Sequence, residues 1–183
     1  MKLDLYTHCF EAICILSPEL ITPSVVSKII TSVKSKGLDG IAITEHYDNR
    51  FGFVAQKIVS EHFDNQIVVI PGHEVYSHGY HLVELFLPGN TVFRFLPHPT
   101  YAELLERNYD FSKVHGIEIG NYAYDHSIDK PRIRSIAEKY NLLLLSNSDA
   151  HDLNDIGRHY NEVDLDDLIN RVWSSTEDEV KNY

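Results

Sequence analysis

The sequence predicts an α/β fold built from βα units around a mostly parallel sheet, and three observations carry that reading. Short apolar runs alternate with amphipathic stretches along the chain. No internal repeat, low-complexity stretch or Pro/Gly/Ser-rich linker divides the 183 residues, a length that fits a single domain when about 150 residues is typical. Histidines and acids stand where the apolar runs stop, and parallel α/β architectures bind ligands at the carboxyl ends of their strands.

The elements follow in order. Residues 2–6 read as the first strand. Pro23 opens a helix at its first turn, with Val25, Val26, Ile29, Ile30 and Val33 on one face and Gly37 closing it. Residues 40–44 form a second strand, followed by a helix over 53–63. Residues 66–70 are a third strand and 81–87 a fourth, partly apolar run. Residues 93–96 and 116–119 are short strand candidates, 132–140 are helical, and 142–145 are a buried strand ending at Ser146. A last amphipathic helix spans 164–173, and residues 175–183 are polar and read as a frayed tail.

Hydrophobic residues at 43% and charged residues at 23% are the balance of an ordinary globular protein. A net charge of -11 argues against a stable grip on nucleic acid, which needs clustered Lys and Arg. A small phosphorylated substrate stays open, because divalent cations invert the local field. Cys9 and Cys14 fit neither a zinc-finger spacing nor a disulfide framework and read as small buried residues, with Cys14 as an alternative soft ligand. No basic n-region precedes an apolar run, and no apolar stretch approaches the roughly 20 residues of a membrane span. A cytoplasmic protein without membrane partners is expected.

The 11 histidines carry the functional signal. His8 follows the first strand, Glu45 and His46 the second, and His73 and Glu74 the third. His98 follows 93–96, Glu118 lies in the GIEIG run, and Asp149 and His151 come just past LLLLS. Imidazole nitrogens and carboxylate oxygens hold hard and borderline divalent metals. His8, His46, Glu74, His81, His98, Asp149 and His151 supply that set, and no thiolate cluster competes. A lone histidine is more often a surface or hydrogen-bonded residue, which is how His62, His115, His126 and His159 read. His73 is read as bracing the Gly72–Glu74 turn and His78 as capping the loop before His81. Glu45 is expected to orient His46, with Asp4, Glu118 and Asn121 as alternatives for such support. Lys130, Arg132 and Arg134 read as a solvated helix face.

The segments DLYTH (4–8), AITEH (42–46), PGHEV with a later HLVEL (71–75, 81–85), PHP (97–99) and SNSDAH (146–151) resemble, in order, the successive motifs of the PHP (polymerase and histidinol phosphatase) domain. IGRHYNEV after the DAH motif is similar to that family's ending. The resemblance spans nearly the whole chain. It implies a distorted, TIM-like (β/α)7 barrel and a centre of two or three divalent ions, with Mn, Zn and Fe all suited to such ligands. It implies one ion on His8, Glu74 and Asp149, a second on Glu74, His81 and His98 with Glu74 as the bridge, and a third on His46 and His151.

The activity it implies is hydrolysis of a small phosphomonoester or phosphodiester through a metal-bound hydroxide. Asp149 would orient the nucleophile, and His46 or His151 would protonate the leaving oxygen when not tied to a third ion; Arg50 and Arg158, which directly follow metal motifs, are candidates to bind the phosphate. Two departures stand out. The family's leading His-x-His has Tyr6 in its first position here, leaving a phenolate ligand or a packing role. The acid or histidine that usually follows has Glu11 as its nearest counterpart. A non-catalytic metal-binding or regulatory module with a partly decayed site is therefore an alternative, as is a hydrolase of a C–N or ester bond.

Overall fold

The computed structural model describes residues 1–77, 79–100, 104 and 109–180. His78, read above as a loop cap, lies outside the described residues. The strands are β1 (Lys2–Asp4), β2 (Gly40–Ile43), β3 (Val68–Ser77), β4 (Tyr80–Leu87), β5 (Thr91–Leu96), β6 (Gly116–Asn121), β7 (Leu143–Asn147) and β8 (Asn161–Glu162). The helices are α1 (Pro23–Ser35), α2 (Arg50–His62), α3 (Lys130–Tyr140) and α4 (Leu165–Val180). Together they form one α/β barrel that is nearly closed. The sheet order is β7-β6-β5-β4-β3-β2-β1-β8, and a parallel bridge between Thr7 and Ala150 brings the end of β1 back to the chain just past β7.

The sheet is less parallel than the sequence predicts. β1–β2, β2–β3, β5–β6 and β6–β7 pair in parallel, whereas β3–β4 and β4–β5 are antiparallel. The connections decide this. β3 and β4 are joined through a turn at Gly79 with φ +91, and β4 and β5 through Pro88–Asn90 with Gly89 at φ +73. Neither connection is long enough for the crossover of a dozen or more residues that parallel pairing requires.

β3 is also longer than predicted. The Pro71–Gly72 pair reads as a stop, but here it marks a change of partner. Val68–Pro71 pairs with β2, and Gly72 onward pairs with β4. The other boundaries shift by a few residues, and α4 runs to Val180 rather than stopping near Trp173.

α1 begins where the sequence indicates, with the Thr22 hydroxyl accepting the Val25 N–H and Gly37 at φ +70 just past its end. Its buried stripe of Val26, Ile29, Ile30 and Val33 packs with Ile41 and Ile43 of β2 and with Phe51 and Ala55 of α2. Each such side chain contributes about 2 kcal/mol by leaving water. α2 approaches β3 so closely that a Cβ on Gly52 would sit 2.6 Å from the Pro71 Cα. Among the described residues no helix is long and apolar enough to cross a membrane. Cys9 is buried as expected, whereas Cys14 is exposed at a left-handed helix end. Its neighbours Ile13 and Ile15 turn inward in its place.

Candidate metal centre

The carboxyl ends of β1 and β2, the middle of β3 and the start of β4 converge on one mouth with the segments that follow β5 and β7. Tyr6, His46, Glu74, His81, His98, Thr100, Tyr124, Asp149 and His151 line a cavity of about 430 Å³ there. Glu74 reaches it because β3 continues past its predicted end. The Glu74 N–H donates to Thr44 C=O at 3.2 Å, and its C=O accepts the Tyr47 N–H at 2.8 Å. His81 arrives by cross-strand register, opposite Tyr76 on β3. His98 and Asp149 both hold left-handed backbone, with φ +30 and +54, a conformation that costs about 1–3 kcal/mol and concentrates at functional sites.

Glu74 stands at the centre. Its Oε2 lies 3.0 Å from His46 Nε2 and 3.6 Å from His8 Nε2. Its Oε1 meets His81 Nδ1 and lies 3.8 Å from His98 Nε2. Two compact ligand groups result, Glu74–His81–His98 and His8–Glu11–His46–His151, each with its donor atoms within 4.8 Å of one another. The first coincides with one predicted set. The second joins the predicted pair His46 and His151 to His8, which stacks on both at 4.3 Å, and to Glu11. His8 also keeps its predicted neighbour Asp149, with Nε2 and Oδ1 3.3 Å apart.

A divalent ion fits this donor set. His8 is fully buried, yet neither of its ring nitrogens has a hydrogen-bond partner, and neither does Asp149 Oδ1. In proteins generally the great majority of buried polar atoms are paired; here His73 Nδ1, Thr91 Oγ1, Asp125 Oδ1 and Ser148 Oγ are the other exceptions among the described residues. Of the three at the mouth, His8 Nε2 and Asp149 Oδ1 stand side by side, 3.3 Å apart. His151 turns Nδ1 onto the Asp149 carbonyl at 3.0 Å, which fixes its ring and leaves Nε2 for the site.

Electrostatics follow from this crowding. Burial works against ionisation of Glu74, but hydrogen bonds from His46, His81, His98 and Tyr6 outweigh it and hold the carboxyl well below the usual carboxylate range. Hydrogen bonds to Glu74 and Glu11 raise His46 to about 9 despite its burial. Burial pushes the Tyr6 phenol well above its ordinary value, reinforced by the charges of Asp149, Glu74 and Glu118. The Tyr6 hydroxyl lies 3.3 Å from His98 Nε2.

Several supporting roles differ from the sequence reading. Glu45 does not orient His46. It accepts the N–H groups of Phe10 (2.7 Å) and Glu11 (3.3 Å), shaping the loop that carries Glu11, and Glu11 is the acid 2.7 Å from His46 Nδ1. Glu118 braces His98 by accepting its N–H at 2.6 Å, and Asn121 and Asn147 donate to the same carboxyl. Burial raises Glu118 to about 8. Asn147 lies within the SNSDAH motif, but the sequence reading gave it no role. His73 does not brace its own turn; its Nε2 lies 2.8 Å from Glu84 on β4.

Arg50 and Arg158 are not among the cavity residues. Arg50 is held in a fork by Asp48 and reaches Glu19, and Arg158 pairs with Asp155 and covers the ring of Tyr122. Carboxylates nearer in sequence claim both guanidinium groups.

A family model described as PHP-associated matches residues 128–178, a stretch that includes Asp149 and His151. Among solved structures, PsfC from Pseudomonas syringae aligns at TM-score 0.63 and 13% identity, over 100% of this chain and 98% of its own. A provisionally named metal-dependent phosphoesterase from Bifidobacterium adolescentis aligns at TM-score 0.65 and 10% identity, over 94% and 96%. A third structure, an amidohydrolase from Chromobacterium violaceum with bound sulfate and no metal, aligns at TM-score 0.63 and 14% identity, over 93% and 97%. At such identities the likenesses establish the α/β-barrel fold alone. No curated protein sequence matches the chain.

Proposed function

We propose that this chain is a divalent-metal-dependent hydrolase of small phosphoesters. The observation that carries the reading is the division of the Glu74 carboxylate between two imidazole groups, beside a fully buried His8 whose ring nitrogens lack partners. Glu74, His81 and His98 would hold one ion. His8, Asp149 and Glu74 would hold another, and His46, His151 and Glu11 a third. Bound there, such ions supply Lewis acidity towards a phosphoryl oxygen and a water acidic enough to attack near neutral pH.

The chain's own residues do the rest. The Glu118 carboxyl and the Asn121 amide fix His98 and Asp149 from below. When it is not tied to a third ion, His46, between Glu11 and Glu74, is placed to deliver a proton to a leaving oxygen. The phosphoesterase name of the Bifidobacterium structure agrees with this substrate class.

Hydrolysis of a C–N or carboxylic ester bond is the second reading. The Chromobacterium amidohydrolase favours it, as does the lining of the cavity, which includes neither Lys nor Arg among the described residues. The test is to load purified protein with Mn²⁺, Zn²⁺ or Fe²⁺, measure bound metal, and offer aryl phosphomonoesters, phosphodiesters, anilides and carboxylic esters. Metal-dependent release of phosphate supports the proposal. Metal binding with turnover of anilides or esters alone moves the function to the second reading, and absence of bound metal defeats both.

A further inference from the structure

Exposed tyrosines are common and carry nothing singly. Their placement here is specific. Tyr124 lines the cavity, is 42% exposed, and lies with its ring centroid 4.7 Å from that of His98. His98 lies 5.5 Å from His81, and His81 lies 5.3 Å from Tyr76, which is also half exposed. A row of four rings thus runs from Tyr124 through the imidazoles of one ligand group, which line the cavity, to Tyr76, which does not.

The loop that carries Tyr124 is tied to the floor of the site. Asn121 Oδ1 accepts the N–H groups of Ala123 (3.0 Å) and Tyr124 (3.2 Å). The amide of the same residue donates to Glu118 and Asp149. The Tyr124 carbonyl accepts both the N–H and the hydroxyl of Ser127, each at 2.9 Å. The ring position is therefore set by the same side chains that set His98 and Asp149. Tyr122 is not equivalent, because Arg158 covers its ring, and Tyr47 does not line the cavity.

Of the described lining residues, those not assigned to the ions are Tyr6, Thr100 and Tyr124. With Tyr6 buried, it is the Tyr124 ring that offers an exposed flat surface to whatever the ester carries beyond its phosphoryl group. A cavity of about 430 Å³ has room for such a group. We infer that the preferred ester carries a planar aromatic group on its leaving alcohol, and that Tyr124 is the residue that selects it by stacking. The inference rests on the phosphoester reading above.

Binding of two non-hydrolysable probes to the metal-loaded protein tests it without turnover. Phenylphosphonate should bind roughly tenfold more tightly than methylphosphonate, the scale of one good aromatic contact. Tyr124→Leu should bring the ratio near one, and Tyr124→Phe should keep it. Turnover of an aryl and a fluoroalkyl phosphate of matched leaving-group acidity should show the same pattern. Equal binding of the two phosphonates by wild type, or a ratio that survives Tyr124→Leu, overturns the role of Tyr124 and leaves phosphoesterase activity standing. Failure of both probes to bind, with no ester cleaved, overturns the phosphoester reading and this inference with it.

Discussion

The Oε2 of Glu74 lies 3.0 Å from Nε2 of His46, and the other oxygen of the same carboxylate meets His81. One side chain near the middle of β3 therefore ties the loop after β2 to the start of β4. From sequence, Glu74 and Asp149 look like mutually repelling charges without metal. In the structure Glu74 is surrounded by imidazoles and the Tyr6 hydroxyl.

Glu74→Gln keeps the shape and removes the charge. Turnover of an aryl phosphate by metal-loaded protein should fall by orders of magnitude. In chelator the variant should also lose about 3 kcal/mol, because His46 and His81 are left without their partner. Thermal unfolding with and without chelator checks this. A metal-free variant as stable as wild type would show that the imidazoles do not depend on Glu74.

Tyr6→His restores the histidine of the family's leading motif at a position that is 1% exposed and faces Glu74 and His98. A neutral, strongly buried phenol is a poor ligand, and an imidazole is a good one. Affinity for Mn²⁺ or Zn²⁺, measured by titration, should rise by about tenfold. Unchanged affinity would assign the position to packing against Phe95, whose ring meets Tyr6 edge-on.

On the far face of the sheet from the mouth, His73, Glu84 and Arg94 form a cross-strand row. The Glu84 carboxyl sits 2.8 Å from His73 and accepts from Arg94 Nε at 2.6 Å. Its pKa is lowered to about 2, mainly by the His73 hydrogen bond, against burial and with help from Arg94. A carboxyl depressed on folding contributes stability that is present above its ordinary value near pH 4.5 and is lost as pH falls through about 2. Glu84→Gln should cost about 1–2 kcal/mol at neutral pH, and the gap should close in denaturant melts stepped from pH 5 to 2. A pH-independent gap would point to packing instead of charge.

Gly52 is where α2 touches β3, and Gly52→Ala adds a methyl 2.6 Å from the Pro71 Cα and 3.2 Å from the Gly72 N. Relief by rotamer change is impossible for a Cβ against backbone. Overpacking of this kind costs about 1–3 kcal/mol, more than the roughly 1 kcal/mol alanine gains in helix propensity. The melting temperature should drop by a few degrees, and a rise would mean that α2 can slide.

Legibility followed the physics of each segment. α1 was readable because its cap, stripe and closing glycine are all local. The ends of β1, β2 and β7 were readable because buried parallel strands are short apolar runs with polar residues after them. β3 was not, since Pro71–Gly72 signals a stop locally, and only the partner change at Gly72 explains why the strand continues. Glu11 was noticed as a nearby acid, but its approach to His46 depends on Glu45 holding the loop. Arg50 and Arg158 show a related limit of local reading. A motif does not show which carboxylates a nearby guanidinium meets, and here Asp48 and Asp155 pair with them.

The bridge between Thr7 and Ala150 has a consequence in time as well as in space. It is backed by His8 N–H donating to Ala150 C=O and by Asp149 N–H donating to Tyr6 C=O, so the first and last parts of the mouth are clasped to each other. A chain emerging from the ribosome presents His8, His46, Glu74, His81 and His98 well before Asp149 and His151 exist. Contacts between such distant segments form late, after the long loop between them is closed. Nascent chains cut short of Ala150 should accordingly bind divalent ions weakly. Affinity should appear in one late step when β7 seats beside β1, so that the growing chain does not trap metal before its barrel can shield it.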